Sequence, residues 1–360
     1  MKILLRLAAT LLATVLLLEA GFRAYRAAID QVPPHADPSR ADEWSWARAR
    51  LRAGEARLHG DAEYDATLGW TVGPKFRDAD GGRSAFAEAR RPGVPRLALV
   101  GDSFTRELDN LGRPFLPGWE IVNLGVQGYG ADQTLLRYQT AGARYGADVV
   151  VFGFYLRDYF RMLRSFRGYA KPTLSLEASG ELVVAGVPVI TPEALLAAYR
   201  SGERRIGEPW RPWALDFVRQ RLALYEARER IDPEAWRVWA AVLHRFRDDA
   251  RATGACPFLL IFPTRPGEYH GTVYEAIDLR TRQEARAAGL PWLALAEAFY
   301  QGASPAERER LFDEGTSGHL SAHGRRSAVA ALEAALVAHD LDRCRAPAAP
   351  LAPEAPARPG

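Results

Sequence analysis

Short apolar runs alternate with amphipathic segments along most of the chain. Five apolar runs predict buried β-strands, at Leu97–Val100, Ile121–Leu124, Val149–Phe154, Pro257–Phe262 and Trp292–Leu295. Helical periodicity is found between and after them, over Asp132–Tyr145, Glu234–Ala252, Val273–Ala288 and Ala322–His339. Strands that are apolar throughout and separated by helices are typical of a parallel sheet covered on both faces. The pattern therefore predicts the α/β class, as a flavodoxin-like three-layer α/β/α sandwich with a parallel sheet of about five strands.

The same pattern divides the chain. We expect the α/β domain to occupy residues 95–343, with an insertion at about 160–233 where the alternation stops. Such an insertion usually lies at an active-site rim or contacts a partner, although it could be inert elaboration. Residues 29–94 are interpreted as a stalk and lead-in segment. The alanine- and proline-rich residues 344–360 predict a disordered tail.

The first 28 residues carry the strongest local bias. Lys2 and Arg6 precede an uncharged run, Leu7–Leu18. That run suits a signal-peptide core, whereas counting through to Phe22 gives a full membrane span of about 20 residues. Cleavage after Ala20 would place bulky Leu18 where a small residue is needed. We therefore expect an uncleaved single-pass anchor with the main domain outside the cytoplasm, in the periplasm, and keep a secreted form as the alternative.

Composition narrows the function further. The 360 residues are 48% hydrophobic, and 47 lysines and arginines face 44 aspartates and glutamates, a net charge of +3. A packed core is therefore expected, and the balanced charge argues against a nucleic-acid partner. The two cysteines, Cys256 and Cys344, either pair in an oxidising compartment or remain free thiols. No cysteine or histidine spacing resembles a metal site, and we expect no cofactor.

The first predicted strand leads directly into Gly101-Asp102-Ser103. This places a serine at the carboxyl edge of the sheet, where open α/β sheets bind ligands. A serine hydroxyl needs a neighbouring base and donors for the developing oxyanion before it can act as a nucleophile. The alternative is that Asp102 or Ser103 only caps the following helix.

Two further segments belong to the same edge. A glycine-rich turn that includes Gly125 follows the second strand, and His319 precedes the last helix. A backbone N–H in the first and an imidazole in the second are the groups that acyl transfer to Ser103 requires. An ordinary glycine turn and a structural histidine are the alternatives.

Together these segments resemble the SGNH hydrolases, also called GDSL-type esterases and lipases, of the membrane-anchored bacterial type. The resemblance covers roughly residues 95–343 outside the insertion. It implies that Ser103 is the nucleophile, that His319 is the general base and that Gly125 donates its N–H to the oxyanion.

Two positions depart from the family pattern. Arg157 stands before Asp158, where the family has the asparagine that donates to the oxyanion. A guanidinium can also donate, so Arg157 is our second candidate for the oxyanion hole, but it differs from an amide in length, charge and shape. Thr316 stands three residues before His319, where the family has its acid. Asp313 is our candidate for that acid, with Glu314, or no carboxylate, as alternatives.

The sequence thus predicts a serine esterase or O-acyltransferase acting on ester-linked acyl groups, foremost acetyl, of an envelope or secreted carbohydrate. The departures at Arg157 and Thr316 motivate an alternative, a catalytically inactive SGNH-fold module that binds glycans or assembles an envelope complex. The acyl acceptor and the oligomeric state stay open.

Overall fold

The computed structural model describes residues 1–58, 60, 62–72, 90–109, 116–208, 210–315 and 318–339. The strands and helices within these residues are numbered in chain order. The strands are β1 (Ala62–Asp65), β2 (Gly69–Val72), β3 (Arg96–Val100), β4 (Glu120–Asn123), β5 (Val149–Tyr155), β6 (Phe166–Arg167), β7 (Tyr169–Ala170), β8 (Thr173–Leu176), β9 (Leu182–Ala185), β10 (Cys256–Phe262) and β11 (Trp292–Ala294). The helices are α1 (Lys2–Ala28), α2 (Pro38–Ala53), α3 (Ser103–Arg106), α4 (Ala131–Arg137), α5 (Asp158–Arg161), α6 (Pro192–Ser201), α7 (Trp213–Glu229), α8 (Pro233–Ala252), α9 (Pro266–Tyr269), α10 (Val273–Ala287), α11 (Leu295–Tyr300), α12 (Pro305–Arg310) and α13 (Ala322–Ala338).

Five parallel strands form the central sheet, in the order β11-β10-β5-β3-β4. Counted along the chain, this order is 2-1-3-4-5, which is the flavodoxin-like arrangement. The predicted α/β fold with a five-stranded parallel sheet is confirmed. The strand order reverses between β3 and β5, and a crevice forms at the carboxyl ends of strands at such a point.

Helices cover both faces of the sheet because its inner strands are apolar on both sides. Every residue of β3, β5 and β10 is buried. On one face α8 packs with α4 and α10, and on the other α13 packs with α11 and with the turn after α3. Trp239 of α8 stacks on Phe154 of β5 with ring centroids 4.1 Å apart. The start of α8 is set by Asp232, whose carboxylate accepts a hydrogen bond from Ala235 N at 2.8 Å, with Pro233 as the first helical residue.

The residues predicted as an insertion fold into two antiparallel hairpins, β6-β7 and β8-β9, followed by α6 and α7. Of these, β6-β7 and α6 share a second hydrophobic core with α2 and the β1-β2 hairpin. Trp46 of α2 lies 5.3 Å from the ring of Tyr169, and both side chains are buried. The segment that we interpreted as a stalk therefore packs against the insertion, which the apolar face of α2 makes favourable.

The helix α1 spans 27 residues, of which none is buried, and its most apolar window has a mean hydropathy of 2.0. By length and composition it is a candidate membrane span or signal sequence. Cys256 is buried at the start of β10 and is disulfide-bonded. Cys344 and the predicted tail lie outside the described residues.

Candidate active site

The turn after β3 presents Ser103 at the crevice. Asp102 is the N-cap of the short helix α3, and its Oδ1 accepts a hydrogen bond from Phe104 N at 2.9 Å. Asp102 therefore caps the helix, and the Ser103 hydroxyl takes no part in capping. Ser103 is 5% exposed.

The turn is tight because Gly101, directly after β3, and Gly153 in β5 make room for Thr105. A Cβ on either Gly101 or Gly153 would collide with the Thr105 side chain. The helix α3 therefore lies directly against the ends of β3 and β5. This close packing fixes the position from which Ser103 projects.

His319 lies within hydrogen-bond distance of the serine. Its Nε2 is 3.1 Å from Ser103 Oγ, although the two residues are 216 positions apart in the chain. The edge of the Phe104 ring packs against the imidazole at a centroid distance of 5.1 Å. The structure thus brings together the two side chains that the sequence predicted as nucleophile and base.

The other imidazole nitrogen contacts a carboxylate that the sequence analysis did not single out. His319 Nδ1 lies 2.9 Å from Oε1 of Glu107, which begins the 3-10 turn after α3. The second oxygen of Glu107 is 3.4 Å from Nη1 of Arg325. The hydrogen bond to Glu107 raises the pKa of His319 above its ordinary value, although partial burial of the ring opposes this shift. In the neutral ring, Nδ1–H then donates to Glu107 and Nε2 is left to accept the serine proton.

Asp313, the predicted orienting acid, contacts His319 through backbone only. Its N–H donates to the carbonyl of His319 at 2.9 Å, and its own carbonyl accepts a hydrogen bond from Arg265. An antiparallel bridge between Phe312 and Leu320 closes this loop. Asp313 therefore holds the backbone of His319, whereas the carboxylate that contacts the imidazole belongs to Glu107. Thr316 lies outside the described residues.

The predicted oxyanion donor Gly125 has its N–H engaged. It donates to Oδ1 of Asn123 at 3.0 Å, and Nδ2 of Asn123 donates to the carbonyl oxygens of Thr105 and Arg106 at 3.0 and 3.2 Å. A Cβ at Gly125 would lie 2.6 Å from Arg106 N. Gly125 is therefore required for the close approach of the two turns, and Asn123 ties them together.

Arg157, the second predicted donor, is engaged with residues of α9 and α10. Its guanidinium pairs with Glu268 Oε2 at 2.5 Å and lies 5.8 Å from the centre of the Tyr274 ring. Its side chain is 43% exposed. Among the described residues it makes no contact with Ser103.

A buried charge cluster contacts the turn that carries Ser103. Nη1 of Arg161 lies 2.7 Å from Asp102 Oδ2, 2.6 Å from Asp158 Oδ1 and 3.2 Å from the carbonyl oxygen of Tyr129. Both carboxylates are inaccessible to solvent. Burial and the nearby charge of Asp102 raise the pKa of Asp158 well above its ordinary value. Arg161 therefore links the ends of β3, β4 and β5 at the base of the crevice.

Nothing in the described part of the chain gathers three or more histidine, cysteine or acidic side chains that could hold a metal ion. The groups at the crevice are a hydroxyl, an imidazole and a carboxylate in one hydrogen-bonded chain. This arrangement can activate a serine for acyl transfer.

Comparison with known proteins gives likeness to solved structures only. A GDSL-like lipase from Bacteroides thetaiotaomicron aligns over 71% of this chain and 94% of its own, with 12% identity and a TM-score of 0.40. A lipase/acylhydrolase from Enterococcus faecalis aligns over 68% of this chain and 96% of its own, with 14% identity and a TM-score of 0.36. No protein-family model matches the sequence, and no curated protein matches it. The evidence for an activity of this chain is therefore the geometry of the site.

Proposed function

We propose that this chain is a serine esterase or O-acyltransferase of the SGNH kind. The observation that supports it is the continuous chain from Ser103 Oγ through His319 to Glu107, with separations of 3.1 and 2.9 Å. Both distances are within hydrogen-bond range. In this proposal Ser103 is the nucleophile, His319 is the general base, and Glu107 holds the tautomer that exposes a lone pair at Nε2.

The reaction begins when Ser103 Oγ attacks the ester carbonyl and its proton passes to His319 Nε2. The imidazolium that forms is stabilised by the Glu107 carboxylate, and it then protonates the leaving alcohol. An acyl-enzyme remains on Ser103. Water, or a hydroxyl of an acceptor sugar, attacks this ester and loses its proton to His319. The imidazolium then returns a proton to Ser103 Oγ as the acyl bond breaks, which regenerates the serine.

The oxyanion needs donors on the other side of the serine. Ser103 is the first residue of α3, so its own N–H has no acceptor within the helix and can serve. Gly125 can contribute only when Asn123 Oδ1 releases its N–H, and Arg157 only when it leaves Glu268. Losing one oxyanion donor typically lowers kcat by about 100-fold to 1,000-fold, so we expect a slow enzyme with small esters.

The proposed substrate is an ester-linked acyl group, foremost acetyl, on an envelope or secreted carbohydrate. The proposal is supported by α1, because an enzyme anchored outside the cytoplasm meets such polymers. In this proposal α1 is an uncleaved anchor, and the C-terminal part of α1 packs against the insertion.

Contacts of α1 with the insertion support retention of the anchor. The carboxylate of Glu19 accepts hydrogen bonds from the N–H groups of Trp213 and Ala214 at 2.7 and 3.0 Å, which caps the start of α7. Arg23 pairs with Glu19 at 2.6 Å and lies 4.9 Å from the centre of the Trp213 ring. Cleavage after Ala20 would remove Glu19 and, with it, the cap of α7. The mass of the mature N-terminus tests retention directly, since a mature chain that begins at residue 21 would contradict it.

A second candidate is an SGNH-fold module without catalysis. It is favoured by the engagement of Gly125 with Asn123 and of Arg157 with Glu268, because both predicted side donors are occupied. Such a module would bind glycans or assemble an envelope complex.

Hydrolysis of p-nitrophenyl acetate by the full-length chain in detergent separates the two candidates. The esterase proposal expects release of p-nitrophenol by the wild type and background rates for Ser103→Ala and His319→Ala. Equal rates in all three proteins would support the inactive module for this substrate class.

A further inference from the structure

A cavity of about 270 Å³ lies beside the nucleophile turn. Its walls come from Trp70 on β2, from Val126 and Gly128 in the loop after β4, and from Arg106 at the end of α3. The same turns position Ser103, since Val126 N donates to the carbonyl of Gly101 at 3.0 Å. The cavity thus shares wall residues with the turns that hold Ser103, and the insertion contributes Arg167 to its wall.

Arg167 brings to this cavity a cation that has no direct ion pair among the described residues. Its single hydrogen bond to the described residues runs from Nη1 to the carbonyl of Gly128 at 3.3 Å, and it forms no ion pair with any of them. Burial and the neighbouring charge of Arg161 lower the pKa of Arg167 to about 10, so it stays protonated at neutral pH. A guanidinium has five N–H donors, so most of them remain for a ligand.

The acids near Arg167 form their direct ion pairs with other arginines. Asp102 and Asp158 lie 2.7 and 2.6 Å from Arg161, and they act on Arg167 only at longer range, where their charges raise its pKa. Arg164, three residues before Arg167, pairs with Asp42 at 3.1 Å. Arg167 therefore has no carboxylate in direct contact among the described residues, and a planar guanidinium is suited to a carboxylate.

We propose that Arg167 binds a carboxylate of the substrate, and that Trp70 forms the apolar wall against which the carboxylate-bearing group packs. The substrate class is thus an ester that carries a negative charge. The carboxylate belongs either to the sugar, as in an acylated uronic acid, or to the acyl group, as in a succinyl half-ester. A cavity of this size accepts one sugar ring or a short acyl chain, because pockets for larger ligands begin at about 300 Å³. The inference rests on the proposed function, since it requires Ser103 to act on the bound ester.

Two pairs of esters distinguish the sources of the carboxylate. In the acyl pair, p-nitrophenyl acetate is compared with p-nitrophenyl succinate. In the sugar pair, an O-acetylated methyl galactoside is compared with the equivalent galacturonoside. Each is assayed with the full-length wild type, with Arg167→Gln, with the charge-retaining Arg167→Lys and with the control Arg164→Gln.

We expect Arg167→Gln to lower kcat/KM for the charged member of at least one pair by about tenfold or more, as loss of a charge-assisted hydrogen bond does. The neutral members should change within about twofold, as for substitutions outside a contact. Arg167→Lys should retain part of the preference, and Arg164→Gln should retain all of it. Equal losses for charged and neutral members, or no loss in either pair, would overturn the proposal.

Binding to an inactive chain tests Arg167 separately from catalysis. Calorimetric titration of full-length Ser103→Ala with galacturonate, succinate and galactose should show binding of a carboxylate that is lost in Ser103→Ala/Arg167→Gln. Failure of both carboxylates to bind Ser103→Ala would contradict the Arg167 site, whereas absent hydrolysis with intact carboxylate binding would contradict only the esterase function.

Discussion

Replacing Glu107 by glutamine removes the charge beside the imidazole while keeping an acceptor oxygen of the same reach. The carboxylate contacts His319 Nδ1 at 2.9 Å, and the two side chains are 27% and 23% exposed. Unit charges about 4 Å apart attract by about 1 kcal/mol in water and by about 4 kcal/mol at the effective dielectric constant of about 20 found near protein surfaces. These two energies correspond to rate factors of roughly 5 and roughly 1,000. Since both side chains are half-buried, we expect Glu107→Gln to lower kcat for p-nitrophenyl acetate by an intermediate factor of about 100.

The assay compares Glu107→Gln with Asp313→Asn in the full-length chain. Asp313 touches His319 through its backbone N–H, which the substitution retains. Asp313→Asn should therefore stay within about threefold of the wild type. A loss in Asp313→Asn that equals or exceeds the loss in Glu107→Gln would refute the assignment of Glu107 and restore the acid predicted from sequence.

The pH profile of the same variant is a second readout. Catalysis needs neutral His319, and Glu107 raises the pKa of this imidazole. The acid limb of kcat/KM in the wild type should therefore lie above the ordinary imidazole value of about 6.5, and activity should fall as the pH drops through it. Glu107→Gln should move the limb to lower pH, and an unmoved limb would show that Glu107 does not act on His319.

Two further predictions concern stability. Gly125→Ala places a Cβ 2.6 Å from a backbone nitrogen of α3, so the free energy of unfolding in urea should fall by about 1 to 3 kcal/mol, while Gly267→Ala, which has no atom within 4 Å, should be near neutral. Arg161→Met removes the cation that pairs with the buried carboxylates of Asp102 and Asp158. The free energy of unfolding should fall by about 3 to 5 kcal/mol near neutral pH, and by less in acid, where the carboxylates become protonated. A fall that does not depend on pH would argue against the charge cluster.

The fold and the two central residues of the site could be predicted from the sequence because both depend on local patterns. Fully apolar runs between periodic segments indicate a parallel sheet, and its carboxyl edge gathers the turns that follow the strands. Ser103 and His319 could therefore be paired without knowledge of any contact between them.

The supporting residues depend on contacts that such patterns do not encode. Glu107 lies four residues after Ser103, on the same face of a short helical turn, and this i, i+4 spacing was the available signal. Spacing before His319 led instead to Asp313. The pairing of Asn123 with Gly125 and of Arg161 with Asp102 depends on side-chain orientations between neighbouring turns, which strand and helix periodicity leave undetermined.

The central claim is that Ser103 is a nucleophile activated by His319. Intact-mass analysis of the full-length chain after incubation with a fluorophosphonate tests it most directly, because this reagent forms a stable bond with an activated serine. The account predicts one covalent adduct on the peptide that contains Ser103, and no adduct in Ser103→Ala or His319→Ala. An unmodified wild type, or an equal adduct in Ser103→Ala, would contradict it.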